Sequence, residues 1–262
     1  MTTCIKQYPN IVRMLKVEIF QIQKSNTKLK KSMLNRSNEK NLLILHEDNH
    51  LIVINKRSGD LVQGDKTGDI PLLDYVKKYI KIKYNKPGDV FLGTVHRIDR
   101  PTSGAIIFAK TSKALSRLNK MLVDKEIKKT YWAIVKNKPK NEVGAINSWL
   151  KKNPKNNKST SYDKQVKDSK ESILEYKLIK HLDNYCLLEI NLKTGRHHQI
   201  RCQLSSIGSP IKGDLKYGAK RSNKDGGISL HSRNIEFIHP VSKKNINLTS
   251  QTPKDPIWDS CL

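Results

Sequence analysis

The chain has 262 residues, 36% of them hydrophobic, with 50 Lys and Arg against 24 Asp and Glu and a net charge of +26. That length supports one large domain with a sizeable core, and no apolar run approaches the roughly 20 residues of a membrane helix. The basic excess favours a polyanionic partner, nucleic acid first, over a merely Lys-rich solvated surface.

Residues 1–40 hold no Gly and nine basic side chains against Glu18 and Glu39. Ile11–Ile22 is apolar-rich and expected as a helix, Lys24–Lys40 as a basic arm. Charges inside the apolar run speak against a signal peptide. The globular domain is placed at 41–262. Leu42–His46 and Leu51–Asn55 are β-rich runs around Glu47-Asp48-Asn49-His50, which predicts a hairpin. Gly59–Thr67 approximates a phosphate loop, but Asp65 stands where the Lys must follow the second Gly, so a turn is expected. Pro71 opens a predicted helix with Leu72, Leu73, Val76, Tyr79 and Ile80 on one face. Ser112 is the expected N-cap of a second, with Leu115, Leu118, Met121 and Leu122 inward.

Thr130–Val135 predicts a strand. Residues 151–171 are polar and rich in Lys and Asn, and are expected as a surface loop or insertion. Strands resume at Ile173–Ile179 and Cys186–Leu192, a helix spans His198–Ile207 before Gly208 and Pro210, and Ser229–His239 is a late strand. Adjacent strands outnumber helices. The expected fold class is therefore α+β, a single catalytic domain on a mixed, mostly antiparallel β-sheet flanked by helices and loops. Cys4, Cys186, Cys202 and Cys261 form no C-x-x-C pair, so neither zinc nor redox chemistry is suggested.

Two stretches are dense in functional groups. In His96-Arg97-Ile98-Asp99-Arg100-Pro101-Thr102-Ser103-Gly104, one carboxylate lies between two guanidinium groups, which favour the ionised form a nucleophile or base requires. A salt-bridged surface loop is the open alternative. In Leu192-Lys193-Thr194-Gly195-Arg196-His197-His198-Gln199-Ile200-Arg201, a strand ends, Gly195 turns, and donors crowd a helix entry. Arg196, His198 and Gln199 could hold phosphate or a base edge there, or cap the helix.

Together these stretches resemble the RluA-type pseudouridine synthases. H-R-[LI]-D-x-x-T-S-G stands intact over His96–Gly104, and L-x-T-G-R-x-H-Q-[IL]-R over Leu192–Arg201. Lys129–Ala133 matches K-x-Y-x-A, Gly208–Asp214 matches G-x-P-I-x-G-D, and Leu230-His231 fits a late strand. The resemblance spans about residues 42–253. It implies that Asp99 is the catalytic carboxylate, that Tyr131 lies beneath the target base, that Arg201 pairs with Asp99, and that Arg97 fills the gap left by an extruded nucleotide. His96 and Thr102 join Arg97, Arg196, His198 and Gln199 as RNA- or base-binding candidates. No N-terminal S4-type domain is expected.

The implied reaction detaches uracil from its sugar at nitrogen and rejoins it through carbon-5, with the base flipped out of the RNA. No electrons move and no group is donated, so neither cofactor nor metal is expected. The expected partner is RNA, ribosomal first and transfer RNA second, with no membrane and no obligate protein partner, for a cytoplasmic monomer. A non-catalytic RNA binder such as an assembly factor is the rival reading, and a small-molecule nucleoside hydrolase leaves the charge unexplained.

Overall fold

The computed structural model describes residues 36–65 and 67–262. The expected helix Ile11–Ile22 and most of the basic arm lie outside them. Among the described residues, eleven strands form one sheet: β1 (Ile44–Glu47), β2 (Leu51–Lys56), β3 (Gly93–Thr94), β4 (Ser103–Ala109), β5 (Lys128–Val135), β6 (Val143–Asn153), β7 (Lys158–Tyr162), β8 (Lys170–His181), β9 (Cys186–Leu192), β10 (Leu230–Ile238) and β11 (Asn245–Thr249). The helices are α1 (Leu72–Lys83), α2 (Ser112–Val123), α3 (Gln199–Ser206) and the short α4 (Pro256–Asp259). The spatial order is β1-β2-β4-β10-β5-β9-β8-β6-β7, with β11 on β10 and β3 on β4. The β4–β10 pair is parallel and the others antiparallel, so the mixed, mostly antiparallel α+β architecture holds.

The two-residue period of a strand sends neighbouring side chains to opposite faces. Ile52, Ile54, Ile106 and Phe108 therefore enter one core with Leu72, Val76 and Ile80 of α1. Leu51, Val53, Ala105, Ile107 and Ala109 enter a second with Ala114 and Leu118 of α2. Strands covered on both faces read as unbroken apolar runs, as Leu51–Ile54 does. Each such Leu or Ile contributes ~1.5–3 kcal/mol on burial.

Three local expectations change. Thr111, not Ser112, caps α2: its backbone is extended and its side chain accepts from the Ala114 N–H at 3.2 Å, while Ser112 is already helical. Pro71 occupies the N-cap position of α1 and the helix begins at Leu72. Residues 151–171 are not one long loop. They carry the end of β6, all of β7 and the start of β8, paired from Trp149↔Tyr162 to Asn153↔Lys158. β7 is a sheet edge whose side chains mostly meet water, so its sequence carries lysine and serine where an inner strand carries apolar residues.

Gly104 lies in the short parallel pairing of β4 with β10. Its φ is +114°, and a Cβ there would sit 2.4 Å from both the N and the O of Ser232. The glycine of the first signature is thus a place where β10 lies close against β4, with Ser232 its register partner.

Candidate active site

The loop His96–Thr102 joins β3 to β4. The Thr102 N–H donates to the Asp99 carbonyl at 2.9 Å, closing a tight turn around Pro101. Lys56, fully buried at the end of β2, fastens that turn from behind by donating to the carbonyls of Arg57 (2.9 Å), Asp60 (2.7 Å) and Arg100 (3.0 Å). Burial pulls its ammonium pKa down to about 7, against the opposing charges of Asp60 and Asp99. Arg100 donates to the Gly59 carbonyl and pairs with Asp69, so the turn after β2 and the Asp99 loop are tied together. The Asp99 side chain is 28% exposed at the outer edge of this brace.

The second loop, Thr194–His198, enters α3. Gln199 is buried, and its amide is spent on the loop: the carbonyl oxygen accepts from the Thr194 hydroxyl and the Arg196 N–H, both at 2.9 Å, and the NH2 donates to the Ile173 carbonyl at 3.1 Å. Buried amides need such partners, which makes Gln199 a tie for the turn and not a donor facing out. Ile200 and Leu204 pack into the first core and anchor the helix.

Arg201 sits at the centre. Its Nη1 donates to Asp99 Oδ2 at 2.9 Å, and its Nε and Nη2 grip Asp214 Oδ2 and Oδ1 at 2.6 and 2.9 Å. Burial alone would lower its pKa, but Asp214 and then Asp99 outweigh that and hold it above the ordinary arginine value. One guanidinium thus bridges two carboxylates in fixed fork geometry.

His198 stands beside them in left-handed backbone conformation (φ 53°), with Nε2 3.7 Å from Asp99 Oδ2 and Nδ1 3.0 Å from the Tyr217 hydroxyl. Burial pushes its pKa down to about 3 despite the charge of Asp99, so it is neutral near pH 7. Tyr131, buried on β5, has its hydroxyl pushed up to about 12 by burial, with the charge of Asp99 adding in the same direction. No described residue hydrogen-bonds to Asp99 Oδ1.

The other expected residues divide. Arg97 and Arg196 are exposed. Arg97 makes no hydrogen bond or ion pair among the described residues, and Arg196 Nε donates to the Glu171 carbonyl at 3.0 Å. Thr102 is buried with its hydroxyl unpartnered. His96, expected to meet RNA, turns inward: its Nε2 accepts from the Ile107 N–H at 3.2 Å, and burial, aided by Lys129, lowers its pKa to about 3. It is a neutral brace between its loop and β4. Asp214, Tyr217 and Lys56 had drawn no role from the sequence. Asp214 ended a recognised run, but nothing local linked it to Arg201, 13 positions earlier.

A cavity of about 280 Å³ opens beside this site, between the β6–β7 hairpin and the second loop. Lys152, Lys170, Arg196 and His197 line it, with Asp168 the one acid.

The family profile described as RNA pseudouridylate synthase matches residues 50–206. Ribosomal large subunit pseudouridine synthase C of Buchnera aphidicola subsp. Schizaphis graminum is 34% identical over 230 residues, covering 84% of this chain and 71% of that protein. An uncharacterized RNA pseudouridine synthase of Synechocystis is 33% identical over 213 residues, covering 80% of this chain and 65% of its own length. This chain therefore spans about two thirds of these relatives. Among solved structures, human RNA pseudouridylate synthase domain containing 4 superposes with a TM-score of 0.70 at 21% identity, covering 88% of this chain and 95% of that one, a likeness of fold. A family profile over more than half the chain and relatives above 30% identity agree with the two signatures around Asp99 and Arg201: the chain belongs to the RNA pseudouridylate synthase family.

Proposed function

We propose that this protein isomerises specific uridines in structured RNA to pseudouridine, with Asp99 as the catalytic carboxylate. The observation that carries the reading is the convergence on one carboxylate oxygen. Arg201 holds Asp99 Oδ2, no described residue hydrogen-bonds to Oδ1, and the side chain is part-exposed. A carboxylate so aimed can act as nucleophile or base in glycosidic cleavage. The freed uracil then turns and rejoins through carbon-5, and the carbon-5 proton leaves. The Tyr131 ring offers a face on which the loosened base can stack. The reaction is redox-neutral and transfers no external group, so the reading calls for no cofactor. Among the described residues no cluster of His, Cys, Asp and Glu is arranged to hold a metal.

Base flipping costs a few kcal/mol. Arg97, exposed and unpaired among the described residues, is free to fill the vacated stack. The basic cavity can seat the phosphates of the flanking strand, and residues 1–40 add further basic side chains. Ribosomal RNA is the first candidate substrate, in keeping with the names of several relatives, and transfer RNA the second. Among the described residues no helix is long and apolar enough to cross a membrane, and we place the protein in the cytoplasm as a monomer. Mapping pseudouridines in ribosomal and transfer RNA pools, incubated with and without the protein, tests the reading. New sites support it. RNA binding with no new site in either pool replaces it with the assembly-factor reading.

A further inference from the structure

We propose that Tyr217 is a positioning residue for Asp99, acting through His198, so that two donors converge on Oδ2 and Oδ1 is the reacting oxygen. The inference rests on the pseudouridine-synthase reading and names residues to which that reading assigns no such role.

Tyr217 is buried at the end of the short turn Leu215–Tyr217. Its hydroxyl oxygen accepts from the Ser159 backbone N–H at 2.8 Å. The same hydroxyl lies 3.0 Å from His198 Nδ1, and its ring lies under the Arg201 guanidinium at 5.0 Å. One side chain therefore touches both groups that flank Asp99.

The hydrogen-bond directions follow from charge. With its oxygen receiving the Ser159 N–H, the Tyr217 O–H is free to donate to Nδ1, which leaves the single proton of neutral His198 on Nε2. Nε2–H then faces Asp99 Oδ2, 3.7 Å away. The opposite tautomer would aim a lone pair at a carboxylate oxygen and gain nothing at Tyr217. The 3.7 Å separation is longer than a hydrogen bond, and such contacts commonly tighten only when substrate closes the site.

The ring is also held against drift. A non-glycine residue in left-handed conformation persists only where its surroundings over-determine it. His198 is stacked on His197 at 3.8 Å, and the Ser159 hydroxyl donates to the His197 carbonyl at 2.8 Å. Ser159 belongs to β7, so the polar hairpin is wired into the site through its hydrogen bonds to Tyr217 and His197.

The test measures kcat, KM for a cognate RNA and thermal melting for Tyr217→Phe, His198→Ala, His198→Gln and the double variant Tyr217→Phe/His198→Ala. Tyr217→Phe keeps the ring beneath Arg201 and removes the hydroxyl. The expected result is a roughly three- to tenfold fall in kcat with KM unchanged, the scale of one neutral hydrogen bond. In the His198→Ala background, Tyr217→Phe should change kcat by less than about twofold, because the relay is already cut. His198→Gln, which keeps an N–H donor, should recover part of what His198→Ala loses. Wild-type kcat in Tyr217→Phe, additive losses in the double variant, or equal loss in the Gln and Ala variants would overturn the proposal. If Tyr217→Phe does not fold, because Ser159 loses its acceptor, the nitrogen NMR shifts of His198 in the wild-type protein decide: a proton on Nε2 supports the relay and a proton on Nδ1 overturns it. A wild-type protein that converts no uridine removes the underlying reading, an outcome distinct from all of these.

Discussion

Arg201 Nη1 lies 2.9 Å from Asp99 Oδ2, on a guanidinium whose other edge is gripped by both oxygens of Asp214. The fork cannot rotate toward substrate without breaking two buried bonds, so its reach to Asp99 is set by Asp214. A lysine keeps the charge but has neither the plane nor the donor number to serve both carboxylates. For Arg201→Lys, kcat should fall roughly 10- to 100-fold, the scale of a lost charge-assisted hydrogen bond of about 1.5–3 kcal/mol. RNA affinity should change little, because the side chain is buried. Single-turnover rates beside equilibrium binding separate the two. Wild-type turnover would show that charge alone suffices there.

Gly104 and Gly195 both belong to the signatures but carry opposite demands. A Cβ at Gly104 meets Ser232 backbone at 2.4 Å under a φ of +114°, whereas one at Gly195 meets nothing within 4 Å. Gly104→Ala should cost more than about 2 kcal/mol, since strained φ and a backbone clash add. Gly195→Ala should stay within about 0.5 kcal/mol, as surface substitutions do. Denaturant melts of the two variants give both numbers. Equal stability would mean that β4 and β10 can separate locally without loss.

The sheet was legible where both of its faces are covered, because Leu51–Ile54 and Ala105–Ala109 read as unbroken apolar runs. It was not legible at the β6–β7 hairpin, where water over most of the side chains removes the apolar signal and leaves what reads as a loop. The cap at Thr111 was missed by one position because Thr and Ser cap about equally well and only the backbone angles choose between them. At the site, Asp99, Tyr131 and Arg201 came from motifs. Asp214 and Tyr217 act through partners 13 and 19 positions away, and no local periodicity encodes such a meeting.

Buried histidines set the acid limb of stability. Burial lowers the pKa of His96 and His198 to about 3 and of His231 to about 4, from 6.5. Between those values the unfolded chain binds more protons than the folded one, so stability falls as pH is lowered from about 6.5. Each should contribute on the order of 1–3 kcal/mol by pH 4.5. Burial also works against ionising Glu47 and Asp48, but Lys83, Lys110 and two tyrosines around the first, and His46 with backbone N–H groups around the second, hold both at about 2. Their contribution is lost only below about pH 4.5. Melting temperature should therefore drop between about pH 6.5 and 4.5, before the carboxylates titrate. His96→Asn should flatten part of that slope, and an unchanged slope would place the titrating groups elsewhere.

The basic cavity predicts a measurable salt dependence. Lys152 and Lys170 line it together with Arg196 and His197. Each phosphate that the protein no longer neutralises takes roughly 0.7–0.9 off the slope of log affinity against log salt. Lys152→Glu with Lys170→Glu should lower the slope by about one to two and weaken binding. Single-turnover kcat at saturating RNA should hold, because neither side chain reaches Asp99. A slope equal to wild type would mean that RNA does not pass through this cavity.

Asp99→Asn separates enzyme from binder. The amide is nearly isosteric, and its oxygen can still accept from Arg201 Nη1 in place of Oδ2. Arg201 keeps Asp214 in any case, so the buried network survives and melting should shift by less than about 1 kcal/mol, near the scale of one neutral hydrogen bond. What disappears is the negative charge of a part-exposed carboxylate. A neutral amide is a far poorer nucleophile and base, and among the described residues the other carboxylate on Arg201, Asp214, is buried. Removing an anion from a site that receives a polyanion also lowers repulsion, so RNA binding should be equal or tighter. The expected pattern is normal melting, normal or tighter RNA binding, and no detectable pseudouridine after long incubation with RNA that the wild type modifies. Conversion at the wild-type rate would sink Asp99 as the reacting group. Loss of activity together with a large drop in melting temperature would instead mean that the carboxylate serves the fold through Arg201, and the next variant would then be Asp214→Asn.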